Sequence, residues 1–504
     1  MPSSSIQNDQ KFLVKSTVFT IVGTLLKVAG PVLMIVVARV FGKEIFGTYV
    51  STQLFVLTLC RVAVLGLDKG LHRYLPQNNV CGRPLHEGLV ESFWVAVFIA
   101  SLFSVVLWVG SFFNLQTISS GLAMLSSAEI SLYALSVIPY TMLNMFAGAS
   151  EGNRHPQYKI FINDFAIMAL APFIAVVLYF AGFQDKFALP VGFFVANLLG
   201  VIIYFVLINR QFPQIKWFIK KRVPRELLSF SLPLGFSEAV STFLLRVDLW
   251  MVLALLGPET AGIYAVMVTI SNGLKTIRQS YNPILQPVVA GMSGERLKTD
   301  LKPVFSYCVS MVTLIQLTIG FFIVLFPEQT MMIAGKSFVT KENPVATLGI
   351  LITGNLINGF FGLSGSIING LGKSKFMLLM NVFALAMAVV MNRICIPIFG
   401  IAGAALSSMS YQIMQCIWMN LYLKKMGYWP YQRNLCVQGV WILLLVAVNY
   451  VINFVYFPSL LVKSIFYVVV LMGLLLTFWM QGLIGKKESW KKSTQSLVSS
   501  IAPM

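Results

Sequence analysis

The sequence predicts an all-α integral membrane protein of about fourteen spanning helices, arranged as two parallel six-helix repeats around a central cavity with two further helices after them. Three observations predict it. Of the 504 residues, 57% are apolar and only 11% are charged, with a mean hydropathy of +0.80, too little polar surface to cover a globule of this size in water. The apolar runs are long and do not alternate, which suits helices crossing roughly 30 Å of hydrocarbon in about 20 residues and excludes barrel strands. One motif is also written twice: Gly42-x-Glu44-x-x-Gly47-x-Tyr49 returns as Gly257-x-Glu259-x-x-Gly262-x-Tyr264.

Taken in order, the runs between Pro, Gly and charge clusters place spans near 16–38, 45–67, 89–110, 128–148, 160–182 and 189–209. A second set lies near 229–256, 261–291, 304–326, 344–369, 375–397 and 400–423, and two more near 437–457 and 460–483. The expected organisation is therefore an N-terminal half (1–210), a cytoplasmic linker (211–228), a C-terminal half (229–425), and a last segment (426–504) with two helices and a basic tail. Twenty-five of the 37 Lys and Arg residues fall in the connections of one side and seven in those of the other. Basic residues near span ends stay in the cytoplasm, so both termini are expected inside. Topology then accounts for most of the net charge of +19, and nucleic-acid binding is a poor explanation of it. The first residues carry no basic stretch followed by a short apolar core, so no signal peptide is expected.

A second pair of stretches supports duplication. Residues 151–165 align with 369–383 at an offset of 218, setting Gly152 on Gly370, Tyr158 on Phe376 and Asn163 on Asn381, while the first motif repeats at 215. Chance likeness of Gly-rich span ends is the competing explanation. Six helices separate the copies, so equivalent spans run the same way, and parallel repeats place a site near the midplane. That is the architecture of an alternating-access carrier. The repeated motif then marks the outer turns joining spans 1 to 2 and 7 to 8, where glycines permit tight helix ends and close approach.

Five cations lie at membrane depth: Lys27, Arg61, Arg246, Lys275 and Arg278. An ionisable group at the bilayer centre costs about 2.5–3.5 kcal/mol on insertion scales, so each asks for a reason. Helical spacing groups Gln53, Arg61 and Asp68 on one face, Glu238, Thr242 and Arg246 on another, and Asn272, Lys275, Arg278, Gln279, Asn282 and Gln286 on a third; such stripes belong against a wet cavity. Two explanations stay open. The acids Asp68 and Glu238 could pair with these cations and hold helices together. Alternatively the surplus of cations awaits an anion such as a diphosphate, which Arg binds in two-pronged fashion. Asp68, Asp164, Glu238 and Asp248 are candidate proton or sodium sites. Pro31, Pro233, Pro283 and Pro287 interrupt the same spans and could serve as bending points or static kinks.

Other chemistry finds little support. The six cysteines show no CxxC spacing, predicting free thiols and no metal. His72, His86 and His155 form no catalytic arrangement, and no Walker A loop is present, so neither catalysis, ATP hydrolysis nor a cofactor is expected. The basic run 220–228 reads as an anchor on anionic lipid head groups.

The segments 38–49 (ARVFGKEIFGTY), 369–383 (NGLGKSKFMLLMNVF) and 392–406 (NRICIPIFGIAGAAL) resemble signature stretches of polysaccharide and lipid-linked oligosaccharide flippases, the Wzx-type polysaccharide transporters of the multidrug/oligosaccharidyl-lipid/polysaccharide exporter superfamily. The similarity covers about residues 14–425. It implies a MATE-like or lipid II flippase-like fold, fourteen helices rather than twelve, and a bacterial cytoplasmic membrane location. The implied substrate is an undecaprenyl-diphosphate-linked oligosaccharide for O-antigen, capsule or exopolysaccharide. Membrane lipids, a polysaccharide polymerase and a chain-length regulator are the implied partners. A lipid II flippase, a drug/cation antiporter, and a membrane polymerase or acyltransferase are the alternatives. The antiporter should have an acidic cavity, and the enzymes a large outer loop or a clustered nucleophile and base.

Overall fold

A computed structural model describes residues 3–80, 84, 86–112, 126–153, 155–218, 222–282, 285, 289, 301–339, 344–371, 373–432, 435–454 and 460–481, with side chains described for most, but not all, of those from residue 30 onward. Its helices are α1 (Ser3–Val64), α2 (Leu67–Val80), α3 (Leu89–Phe112), α4 (Ser127–Gly152) and α5 (Pro156–Lys159); a π-helical turn at Ile160–Ala166; then α6 (Ile167–Phe180), α7 (Asp185–Gln211), α8 (Arg225–Leu244), α9 (Val247–Leu256) and α10 (Pro258–Gln279). There follow α11 (Leu301–Leu325), α12 (Pro327–Met332), α13 (Pro344–Phe361), α14 (Ser364–Gly370), α15 (Ser374–Phe399), α16 (Ile401–Lys425), α17 (Leu435–Phe454) and α18 (Leu460–Met480). Among the described residues, eight helices are long and apolar enough to cross a bilayer, and the bent pair α13–α14 makes a ninth. The chain divides into two compact units, Met1–Ala265 and Val266–Met504.

Glycine punctuates the spans, and it does so in matched fashion. Gly42 breaks α1 with φ 78° and ψ 174°, and Gly257 separates α9 from α10 with φ 90° and ψ 174°. These are left-handed-side conformations that glycine adopts without a Cβ clash. The two motif copies thus make the same turn. At the 218-residue offset, Gly182 (φ 81°) and Gly400 (φ 58°) likewise turn between α6 and α7 and between α15 and α16.

In the first unit the helices meet through glycine. A methyl added to Gly47 would stand 2.5 Å from the Gly262 nitrogen and 2.8 Å from its Cα, and Gly262 in turn abuts the Lys43 carbonyl. So the repeated motifs pack directly on each other, with Lys43 and Glu259 forming an ion pair beside them. Lower down, α1 gives way to α2 at Leu65 (φ 51°) and Gly66 (φ 70°). Gly66 backs onto Gly235 of α8, and Gly148 of α4 lies against the Asp68 backbone. Short side chains here let backbones approach where dispersion, not water exclusion, binds helices.

The core of this unit near its predicted inner end is aromatic. Phe93 stacks on Phe146 at 5.0 Å, and Trp217 meets both edge-on at 5.3 and 5.9 Å. Trp94 Nε1 donates to the Trp217 carbonyl (2.8 Å) and Trp217 Nε1 to Asn209 Oδ1 (2.9 Å), so both of these indole N–H groups are paired. α4 opens with a capping box in which Ser126 and Glu129 satisfy each other's backbone N–H groups. Outward, Phe98, Leu102, Val106 and Trp108 are exposed, an apolar belt that lipid covers at no cost.

The second unit is clasped by buried polar side chains. Gln316 donates to the Leu274 carbonyl (2.7 Å), Asn355 to the Ser271 carbonyl (3.0 Å) and Ser366 to Asn282 Oδ1 (2.6 Å), holding the later part of α10 and the residues just after it. Between α13 and α14 the span bends by 45°, which releases carbonyls from the helical ladder. Asn420 and the Tyr431 hydroxyl donate to the Phe361 carbonyl, and Arg278 Nη1 donates to the Gly362 carbonyl at 3.2 Å. Non-helical backbone persists at membrane depth only when protein groups satisfy it in this way.

Candidate functional site

The first unit holds a cavity of about 230 Å³, walled by α1, α4, the π-helical turn, α6, α7 and the α8–α9 junction. Its polar lining comprises Tyr49, Gln53, Tyr140, Asn163 and Arg246, and Phe193 adds an aromatic wall 6.2 Å from Tyr140 between ring centres. Arg246 reaches it because α8 stops at Leu244 and α9 starts at Val247, leaving Arg246 in the break with φ −145° and ψ 10°. Asn163 reaches it from the π-helical turn, a local widening that often marks functional positions.

The remaining charged residues sort into distinct surroundings. Arg61 Nη1 lies 3.4 Å from Asp68 Oδ2, with side-chain exposures of 27% and 10%. Tyr140 and Glu238 are also within electrostatic reach of Arg61. Asp68 sits in the first turn of α2, where helix N–H groups favour a negative charge. The internal pairing allowed by the sequence is therefore realised for Arg61 and Asp68. Asp248 occupies the same kind of position at the start of α9 and is 5% exposed. Its Oδ2 accepts from the Tyr264 hydroxyl at 2.7 Å, and its Oδ1 from the Leu249 N–H at 2.8 Å. The second copy's tyrosine is thereby committed to a carboxylate, while the first copy's tyrosine, Tyr49, faces the cavity. Glu238 is half-buried on α8.

Lys275 and Arg278 belong to the second unit. Arg278 supports the bent span, and its Nε is buried without a hydrogen-bond partner; Lys275 is half-buried on the same helix. Lys27 lies on α1, but its side chain, like those of Asp164, Pro31, Pro283 and Pro287, is outside the described residues. Sequence reasoning singled out Gln53 and Arg246 but missed Tyr140 and the cavity role of Asn163. Asn163 was visible as a repeat anchor, a polar residue inside an apolar run. No group of three or more His, Cys, Asp or Glu suited to a metal occurs among the described residues.

These helices, breaks and the cavity with Arg246 on its wall accompany a likeness to known folds. The chain is similar in fold to a multidrug resistance MATE family transporter of the MOP superfamily in its inward-facing conformation, with a TM-score of 0.61 at 13% identity over 80% of this chain and 99% of that one. It is similar also to the lipid II flippase MurJ in an inward closed conformation, with a TM-score of 0.59 at 12% identity over 93% and 99%. The protein is thus a multi-pass membrane protein with the fold of MOP-superfamily transporters. Within that class it belongs to the polysaccharide biosynthesis protein family, whose model matches residues 13–293; the MatE model matches residues 233–394. An uncharacterized membrane protein of Methanocaldococcus jannaschii is 20% identical over 287 residues, 55% of this chain and 66% of that protein, so the match spans just under two thirds of the relative's length.

Proposed function

We propose that the chain is a flippase that carries an undecaprenyl-diphosphate-linked oligosaccharide, as used for O-antigen, capsule or exopolysaccharide, across a bacterial cytoplasmic membrane by alternating access. The observation that carries this reading is Arg246 on the wall of an intramembrane cavity in a chain of the polysaccharide biosynthesis protein family. Arg246 is half-buried on that wall, and a diphosphate matches the paired donors of a guanidinium. The likeness in fold to a lipid II flippase supports the same substrate chemistry. In this reading Lys27, Arg61, Arg246, Lys275 and Arg278 are the contacts to the anionic head, and Asp68, Glu238 and Asp248 are sites for a coupling proton or sodium ion. The lipid tail stays in the bilayer, both termini are cytoplasmic, and the flipped unit passes to a polymerase and chain-length regulator. An inside-negative potential favours outward movement by about 2.3 kcal/mol per charge per 100 mV.

The test is glycan export in cells dependent on this chain. Arg246→Gln, and separately the double variant Arg61→Gln/Lys275→Gln, should abolish export while membrane abundance stays normal; export at the parental rate from both would sink the reading. The buried Asp248 favours a drug/cation antiporter as a second reading, although Arg246 repels a cationic drug from the cavity. Proton-dependent efflux of ethidium by purified protein in vesicles would select it.

A further inference from the structure

The two copies of the repeat treat one asparagine differently. In the second unit Asn381 Oδ1 accepts a hydrogen bond from Gln415 Nε2 at 3.2 Å. At the 218-residue offset its equivalent is Asn163, and Gln415 corresponds to Asn197. That side chain is one methylene shorter, fully buried, and gives its Nδ2 to the Phe193 carbonyl at 2.7 Å. Asn163 Oδ1 is consequently buried with no hydrogen-bond partner, on the wall of the cavity. An unsatisfied buried acceptor is costly, and each such group in a folded protein calls for a ligand, a water or a mechanism.

The cavity's chemistry selects among occupants. Its volume of about 230 Å³ corresponds to roughly eight waters at ~30 Å³ each, the scale of one pyranose ring rather than an oligosaccharide. Tyr140 and Phe193 offer an aromatic wall for C–H faces, and Gln53 and Asn163 offer amide groups for a polar rim. Arg246 supplies a positive corner, which disfavours a metal cation and favours a phosphate. A ring that is apolar on its faces, polar on its edge and joined to a phosphate meets all of these.

We infer that this cavity reads the sugar attached directly to the lipid diphosphate: Asn163 Oδ1 accepts from a hydroxyl or acetamido N–H of that pyranose, Gln53 bonds a neighbouring group, and Arg246 takes the phosphate. The inference rests on the flippase reading and adds to it the residue that discriminates among sugars. In this account the second unit has no equivalent reader, because Gln415 already occupies Asn381.

The test uses the purified full-length chain in lipid nanodiscs and measures affinity for a short polyprenyl diphosphate, bare or carrying one glucose, galactose or N-acetylhexosamine. At least one sugar should tighten binding about tenfold, the value of one or two hydrogen bonds to a positioned group. Asn163→Leu should bring that sugar's affinity within about twofold of the same variant's affinity for the bare diphosphate. Gln53→Leu, on another helix, should reduce the preference part-way, and Asn381→Leu should leave it intact. If no sugar tightens binding, or if Asn163→Leu keeps the full preference, the sugar pocket is overturned and the flippase reading stands. If neither bare nor glycosylated diphosphate binds the parental chain, the flippase reading falls and takes the pocket with it.

Discussion

The Gly47–Gly262 crossing lends itself to a quantitative test. In Gly47→Ala the new methyl would lie 2.5 Å from the Gly262 nitrogen and 2.8 Å from its Cα, against a comfortable separation of about 3.5–4.0 Å. Every near neighbour is backbone, so no side chain can rotate away and the helices must part by about 1 Å to restore contact distance. Overpacking of this kind costs about 1–3 kcal/mol, partly offset by the roughly 0.5–1 kcal/mol that Ala gains over Gly in a helix. The net expectation is a loss of about 1–2 kcal/mol, a five- to thirty-fold fall in the folded-to-unfolded ratio. Gly439→Ala on α17 is the control: nothing lies within 4 Å of its added methyl, so it should gain about 0.5–1 kcal/mol from propensity alone. Reversible unfolding of purified protein in mixed SDS micelles, followed by tryptophan fluorescence, gives both values. Equal stability of the two variants would refute the close approach of the motifs.

Two further substitutions probe the polar framework. Tyr264→Phe removes the donor to Asp248 Oδ2 and should destabilise by about 1–3 kcal/mol in the same assay; adding Asp248→Asn should cost less than the sum of the single changes, whereas strict additivity would mean the pair does not interact. Arg278→Met deprives the Gly362 carbonyl of its side-chain donor and should cost a comparable ~1–3 kcal/mol, an outcome that parental stability would contradict.

What could be seen beforehand, and what could not, follows from the kind of signal each feature leaves. Duplication leaves a mark in the chain itself, and Gly42 and Gly257 were recognisable as equivalents before their shared φ and ψ were known. Apolar length identifies a span but is blind to where inside it a hydrogen bond is given up. The breaks at Leu65–Gly66, Leu245–Arg246 and Gly362–Leu363 therefore fell within single predicted spans. Gly66 and Gly362 were local hints; Leu245 and Arg246 include neither Gly nor Pro and gave none. Charge counting found Arg61, Arg246 and Arg278 but not their company. That Arg61 would meet Asp68, seven residues on and past a kink, was one option among several, and that Arg278 would serve a bent helix 84 residues away left no trace in either segment. Asn163 stood out only by comparison with its duplicate.

The packing of Gly47 on Gly262 also bears on how a duplicated gene ages. After duplication most paired segments are free to drift apart, because each answers to different neighbours. Here each copy is the other's neighbour, so a change in one must be tolerated by its own twin. Self-recognition of this sort slows divergence where the copies touch, which accounts for Gly-x-Glu-x-x-Gly-x-Tyr surviving in both halves.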